Sequence, residues 1–255
     1  MYTEAVDLVL RAHEKSLRAL FSVISDVKRA RTDPLPLLSL EGWRAFLRAV
    51  ELLGADITER DAALCFSWSR MAVSERRTER GQRHESCLPF EGFLVRMMPR
   101  STRTALERHS NAGESAGPRV IPTESRSPAG RTPSLQSPHH TPTSPQEALC
   151  RIAALKALPT DEEIANAGHA HAGTYMIELR TKPGGVFEEM LRTRSVGWGE
   201  EPVEPLARCV AHLLEILIYT VEAETQGADN LQVTAKEALL WAQAARLGPA
   251  VNSKR

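Results

Sequence analysis

A long segment in the middle of the chain, residues 95–146, constrains the fold more than any other feature of the sequence. It holds eight of the 16 prolines and seven arginines, but no aromatic residue and no lysine. Such a segment cannot bury enough apolar surface to offset the loss of chain entropy, so we expect it to be disordered. The folded part must therefore be assembled from the sequence on either side of it.

The sequence flanking this segment fits together as one amphipathic helix. When Leu94 is joined directly to Glu147, apolar residues recur at helical spacing across the join. The codons of Val95 begin with GT, and one codon of Gln146 is CAG, as at the two ends of an intron. Our hypothesis is that 95–146 is a translated intron, and the alternative is a genuine disordered loop. Sequencing of the mature transcript decides between them.

The composition of the whole chain indicates an all-α protein without a strongly charged partner surface. Lys plus Arg and Asp plus Glu both number 32, so no global charge favours nucleic acid or a membrane. Aromatic residues are only 5% of the chain, and Ala, Leu, Glu and Arg are strong helix formers. The most apolar run, 213–221, contains a glutamate and is short, which predicts a buried helix and not a membrane span. The first twenty residues contain early acids, so we expect no signal peptide.

Apolar spacing and capping residues predict the individual helices. One N-terminal helix is expected over 4–31, and Ser39 should cap a second helix that ends at Gly54. Thr58 should open a third helix, with Asp61 three residues later as its capping partner. In the C-terminal part, glycines 168, 173, 184 and 185 are expected to separate short helices. We also expect two long helices, near 203–225 and 234–247. Two further helix starts are indicated by the capping pairs Thr160–Glu163 and Thr234–Glu237.

The sequence offers no set of residues that is typical of a catalytic, cofactor or metal site. It lacks a phosphate-binding glycine loop, a nucleophile elbow and any C-x-x-C pair. His169 and His171 would diverge by about 200° on a helix and could not share a metal ion. The acids that begin with Asp161 fit the first turn of a helix. We therefore expect a protein that is not an enzyme, with its cysteines reduced in the cytoplasm.

Several tryptophans are expected to serve as core or interface anchors. Trp68, Trp198 and Trp241 all have this potential. Trp198 lies between Gly197 and Gly199 and is the one we expect to be exposed and to dock on a partner.

One ordered set of residues resembles a known family. A Trp, a Gly-containing turn, a Thr, an Asp and a Phe are followed by a basic loop and a Phe-x-x-Phe segment. These are Trp43, Gly54, Thr58, Asp61, Phe66, Phe90 and Phe93. This order of residues resembles that of the EF-hand-like domain of the tubulin polymerisation-promoting protein family. The run around Trp68 resembles related domains in flagellar proteins of algae and protists.

The resemblance implies a degenerate EF-hand-like helical module in a non-catalytic structural or adaptor protein. Its partners would be tubulin, microtubules or axonemal proteins, and its location the cytoplasm, the cytoskeleton and the cilium or flagellum. The chain lacks the ordered oxygen ligands of a calcium loop, so calcium binding is not expected. Four arginines of the basic stretch, Arg76, Arg77, Arg80 and Arg83, could contact an acidic tubulin surface, or could belong to a solvated loop.

Two other functions stay open at this point. One is a regulatory module that responds to calcium or binds a peptide in a groove between residues 39–53 and 88–152. The other is an enzyme with a site in the helices of 160–255, for which the sequence shows no candidate residues.

The predicted organisation has four parts. They are an N-terminal helix (1–37), the EF-hand-like module (38–94 plus 147–158), the disordered insert (95–146) and a C-terminal helical region (159–255).

Overall fold

The computed structural model describes residues 3–25, 36–70, 78–90, 148–225 and 231–247, with only the backbone of 79–81 and 84. Within these ranges the protein is all-α apart from one pair of two-residue strands, which confirms the predicted fold class. The N-terminal elements are α1 (Glu4–Ala12), α2 (Glu14–Ile24), β1 (Leu37–Leu38), α3 (Leu40–Ala49), α4 (Glu59–Trp68), α5 (Glu79–Ser86) and β2 (Leu88–Pro89). The C-terminal elements are α6 (Ala148–Leu155), α7 (Asp161–Asn166), α8 (Ala172–Thr181), α9 (Val186–Arg194), α10 (Leu206–Thr225) and α11 (Ala235–Ala244).

The predicted helix caps are present. The Ser39 hydroxyl accepts a hydrogen bond from the Gly42 amide at 3.1 Å and starts α3. Three helices begin with a full capping box, in which a threonine and an acid three residues later satisfy each other's backbone amides. These pairs are Thr58–Asp61 in α4, Thr160–Glu163 in α7 and Thr234–Glu237 in α11.

Two predicted helix boundaries are wrong. The expected N-terminal helix is broken at His13, because α1 packs on α10 whereas α2 packs on α11. The second helix ends at Ala49 and not at Gly54, because Glu51 takes a left-handed conformation with φ 53°. The chain then turns inward, so that Leu52 and Ile57 are buried.

Gly173 does not separate two helices as predicted but lies inside α8. A β-carbon placed there would lie 2.4 Å from Cδ2 of Tyr219 on α10. The glycine therefore allows α8 and α10 to approach closely. This contact is tertiary, so helical spacing alone could not reveal it.

Two short strands pair and connect two helical segments of the N-terminal part. Strand β1 lies between α2 and α3, and β2 follows α4 and α5. The strands pair antiparallel, with Leu37 opposite Pro89 and Leu38 opposite Leu88. This pairing joins the residues just before α3 to the residues just after α5.

Helix α10 forms the centre of the core. It contacts α1, α6, α8 and α11, and most of its side chains are buried, as predicted for a buried helix. A single cluster of buried residues includes members from the N-terminal, middle and C-terminal parts of the chain. The predicted boundaries near 37 and 158 therefore do not separate packed units. Among the described helices, none combines the length and apolarity that a membrane span requires.

Phe93 and the predicted helix across the join of Leu94 and Glu147 lie outside the described residues, as does the insert. The intron hypothesis accordingly stays a prediction.

Candidate functional site

The residues that carry the family resemblance are mostly structural. Trp43 and Phe66 are fully buried, and Phe90 is nearly so. The indole nitrogen of Trp43 donates a hydrogen bond to the Ala62 carbonyl at 2.9 Å, which ties α3 to α4. These positions hold the helices together and do not offer a surface to a partner.

Trp68 was predicted to be a core or interface anchor, and the structure places it on the surface, where it is 51% exposed. The buried face of α4 runs through Ala62, Cys65 and Phe66, and Trp68 projects away from this face. Its ring lies against that of Trp198, with ring centroids 4.8 Å apart in an edge-to-face arrangement. Trp198 is 40% exposed, in agreement with its expected exposure.

Asp61 and Arg151 hold the two tryptophans in place. The indole nitrogen of Trp198 donates to Asp61 Oδ1 at 2.8 Å, while Asp61 Oδ2 accepts from the Thr58 amide. The guanidinium carbon of Arg151, on α6, lies 5.4 Å from the centre of the Trp68 ring. We call Trp68, Trp198, Asp61 and Arg151 the tryptophan surface.

The charge of Asp61 is stabilised by these same contacts. Partial burial acts to raise the pKa of Asp61, but hydrogen bonds from Thr58 and Trp198 outweigh it and hold the pKa below its ordinary value. The carboxylate therefore stays ionised at neutral pH. It links the cap of α4 to the loop at 195–205.

Arg70 connects the end of α4 to α5. Arg70 lies two residues beyond Trp68, and its Nη1 donates to the Glu85 carbonyl at 2.9 Å, which brings α5 against the end of α4. Arg83 lies on α5 and is partly buried. Arg76, Arg77 and the side chain of Arg80 lie outside the described residues.

A second cluster lies at the other end of the 195–205 loop. One carboxylate oxygen each of Asp161 and Glu204 and a ring nitrogen of His212 all lie within 4.8 Å of one another. His212 Nε2 is 2.9 Å from Asp161 Oδ1, and Glu204 Oε1 accepts from the Asp161 amide at 2.9 Å. We call these three residues the carboxylate–histidine cluster.

Arg208 pairs with this cluster. Its guanidinium contacts Asp161 Oδ1 and lies 3.3 Å from His212 Nε2. The hydrogen bond from Arg208, aided by His212 and only partly opposed by burial, lowers the pKa of Asp161. Asp161 is therefore a carboxylate at neutral pH.

The cluster borders a small cleft of about 20 Å³ that includes Cys209. Burial, and then the charge of Glu204, raise the pKa of the Cys209 thiol, and the thiol donates to the Glu204 carbonyl. A thiol that is held protonated is a poor nucleophile. The neighbouring Cys209 and His212 therefore do not form an activated nucleophile pair.

Sequence reasoning missed the carboxylate–histidine cluster. Asp161 was interpreted only as part of a helix start, and Glu204 lies 43 residues further along the chain. The available signal was His212, which is a titratable residue within the most apolar helix of the chain. A residue of this kind usually has a polar partner when it is buried.

The side chains of His169 and His171 do not converge on one metal position. His169 Nε2 pairs with Glu178 at 2.7 Å, and His171 Nδ1 lies 3.8 Å from Glu215. Each histidine thus has its own acidic neighbour.

Comparisons of the chain with protein-family models, with curated proteins and with solved structures find no match. The family resemblance therefore rests on the residues quoted above and stays a prediction.

Proposed function

We propose that the protein is a non-catalytic adaptor of the cytoskeleton that docks on tubulin or on an axonemal protein through the tryptophan surface. The observation that carries this proposal is the pair of exposed indole rings, Trp68 and Trp198, held by Asp61 and Arg151. Trp and Arg are enriched among interface hot spots, the few residues that contribute most of the binding energy. The proposed location is the cytoplasm, at the cytoskeleton and the cilium or flagellum.

The charge around the tryptophan surface supports an acidic partner. Arg151 lies beside Trp68, and Arg70 follows Trp68 by two residues and donates to the Glu85 carbonyl. Arginines next to an aromatic pair favour a partner with carboxylates on its surface, such as tubulin.

The fold also supports the proposal. The β1–β2 pair joins the residues before α3 to the residues after α5, as a short strand pair joins the helix–loop–helix units of a paired EF-hand arrangement. In this arrangement the first unit begins with α2, earlier in the chain than the predicted start of the module at residue 38.

The peptide-binding alternative is less well supported. It needs an open apolar groove between residues 39–53 and 88–152, but Phe46 on α3 packs against Trp241 of α11, with ring centroids 6.0 Å apart. Leu149 and Ile152 of α6 are likewise buried. In the described part of these two helices, the apolar faces are thus already covered by the protein itself.

The calcium-responsive version of that alternative has no support from the Gly54–Glu59 turn that the sequence analysis considered. Its Asp56 carboxylate is buried and binds Lys156 at 2.9 Å. This carboxylate is therefore not available to a calcium ion.

Microtubule co-sedimentation tests the proposed function. The full chain should pellet with microtubules, and the double substitution Trp68→Ala/Trp198→Ala should weaken the affinity by about 30-fold or more, as for loss of a tryptophan hot spot. Leu239 and Leu240 on α11 are similarly exposed, so Leu239→Ala/Leu240→Ala is the matched control. The control should bind as the wild type does.

Two outcomes would count against the proposal. The first is absence of the wild-type protein from both the microtubule pellet and the axoneme of a ciliated cell. The second is equal binding by the tryptophan and leucine variants, which would show that the tryptophan surface is not the docking site.

A further inference from the structure

We propose that Asp161, Glu204 and His212 bind a zinc ion, in the position that the guanidinium of Arg208 now takes. The three side chains come from the start of α7, from the 195–205 loop and from α10. One ligand atom from each lies within 4.8 Å of the other two, so small side-chain adjustments can bring all three onto one ion.

The chemistry of the ligands favours zinc. Imidazole nitrogens and carboxylate oxygens are both ligands of Zn²⁺, and three protein ligands leave a fourth position for water. Ca²⁺ takes six to eight oxygen ligands, which the described residues around this cleft do not supply, and Mg²⁺ is a hard cation that is coordinated by oxygen. The imidazole nitrogen also selects for a borderline metal ion over these hard cations.

An unsatisfied oxygen provides a second, independent observation. Glu204 Oε2 is enclosed and has no hydrogen-bond partner among the described residues, whereas Oε1 accepts from the Asp161 amide. A buried carboxylate oxygen without a partner is costly, and a bound cation would satisfy it. His212 is itself only 2% exposed, so its ring is held in place by the core.

The position beside Asp161 and His212 already holds a cation. Arg208 contacts Asp161 Oδ1 and lies 3.3 Å from His212 Nε2. Its side chain is half-exposed, so it can turn into solvent when an ion enters. The other cations that line the cleft have separate partners, since Lys156 binds Asp56 and Arg194 binds Glu163. Arg208 is therefore the cation that competes with the metal.

A zinc ion here would connect the 195–205 loop to α7 and α10. Glu204 is six residues from Trp198, so the same loop carries the proposed ligand and part of the tryptophan surface. The zinc proposal nevertheless stands on the cluster alone and does not depend on a cytoskeletal partner.

Isothermal titration of the full chain with Zn²⁺, after treatment with a chelator, tests the proposal. We expect Glu204→Gln to weaken zinc binding by about tenfold or more, because it removes a ligand charge. The substitution keeps an oxygen for the Asp161 amide, so the loop should stay folded. We expect Arg208→Gln to tighten zinc binding, because it removes the competing cation.

The matched control is Glu178→Gln, which removes the acid of the other close histidine–carboxylate pair, His169–Glu178. It should leave zinc affinity within about twofold of the wild type. Far-UV circular dichroism on each variant confirms folding. If Glu204→Gln unfolds, Asp161→Asn replaces it in the same comparison, with the same expected loss.

Opposite changes in affinity separate a zinc site from a purely structural ion pair. A structural Asp161–Arg208 pair would make Arg208→Gln less stable without tightening zinc binding. The proposal is overturned if the wild type shows no zinc binding at about 100 µM, well above the range of typical protein zinc sites. It is also overturned if Glu204→Gln binds zinc as the wild type does, or if Arg208→Gln fails to bind it more tightly.

Discussion

Replacing Asp56 by Asn should strongly destabilise the fold, because it removes one member of a buried ion pair. Lys156 and Asp56 are almost completely buried, with side chains 2% and 0% exposed. Lys156 Nζ donates to Asp56 Oδ1 at 2.9 Å and to the Leu52 carbonyl, and Asp56 Oδ2 accepts from the Ala157 amide. The pair joins the α3–α4 turn to the segment after α6.

The magnitude follows from this geometry. At the N–O separation of 2.9 Å, the attraction between two unit charges is about 6 kcal/mol at an effective dielectric constant of 20. The asparagine keeps an acceptor for the Ala157 amide, so the loss is mainly that of the charge. Removing one partner of a buried pair costs about 3–5 kcal/mol. We therefore expect Asp56→Asn to lower the free energy of unfolding by about 3 kcal/mol, which corresponds to a Tm lower by about 6–12 °C.

The destabilisation should depend on pH. Burial lowers the pKa of Lys156, and the charge of Asp56 opposes this shift. Without Asp56 the pKa in the folded state falls further, so the unfolded state binds more protons than the folded state. Stability then rises with pH between the folded and the unfolded pKa of the lysine. The deficit of Asp56→Asn should accordingly shrink as the pH rises from 7 towards 10.

Urea denaturation followed by circular dichroism measures both effects. The double substitution Asp56→Asn/Lys156→Met removes the unpaired charge and should recover most of the lost stability, since an apolar replacement of a buried pair is often neutral. A loss smaller than about 1 kcal/mol at pH 7 would refute this reasoning, because it would be that of a solvent-exposed pair. A deficit that does not change with pH would refute it as well.

Three further predictions follow from single contacts. Gly173→Ala should destabilise the fold by about 1–3 kcal/mol, because the new methyl group would overlap Tyr219. In a double-mutant cycle monitored by thermal unfolding, Tyr219→Ala should relieve that loss of stability. Acidification below the ordinary carboxyl range should protonate Asp61 and change the fluorescence of Trp198, and Trp198→Phe should abolish this change. If the fluorescence does not change on acidification, the hydrogen bond between Asp61 and Trp198 is absent in solution. Burial raises the pKa of the Cys65 thiol to about 12, so this thiol should not react with a disulfide reagent at pH 8 until the protein is unfolded. Mass spectrometry maps the modified cysteines, and modification of Cys65 in the native protein would contradict the packing of α4.

Features that depend on short stretches of sequence were predicted correctly. The caps at Ser39, Thr58, Thr160 and Thr234 each need only a side chain and an amide two or three residues away. The buried character of α10 follows from its nearly continuous apolar residues. Local hydrogen bonding and hydropathy are properties of the sequence itself, so both could be read without the fold.

Features that depend on which helices pack together were missed or wrong. The sequence left open whether Trp68 lies in the core or at an interface, and it is exposed because the buried face of α4 runs through Ala62, Cys65 and Phe66. The break at His13 arises because α1 and α2 pack on different helices, although their apolar spacing is continuous. Spacing shows that a face is apolar, and only the neighbouring helices decide where that face points.

The sequence by itself determined an all-α protein with capped helices and a buried α10. The long segment at 95–146 with no aromatic residue, which predicts disorder, lies outside the described residues, so its role stays a prediction. Only the tertiary structure decided that Lys156 meets Asp56 and that Asp161, Glu204 and His212 form one cluster. These contacts join residues about 40 to 100 positions apart in the sequence. The interaction of charges, or of ligands with an ion, depends on their separation in space, and the periodicity of the sequence does not encode that separation.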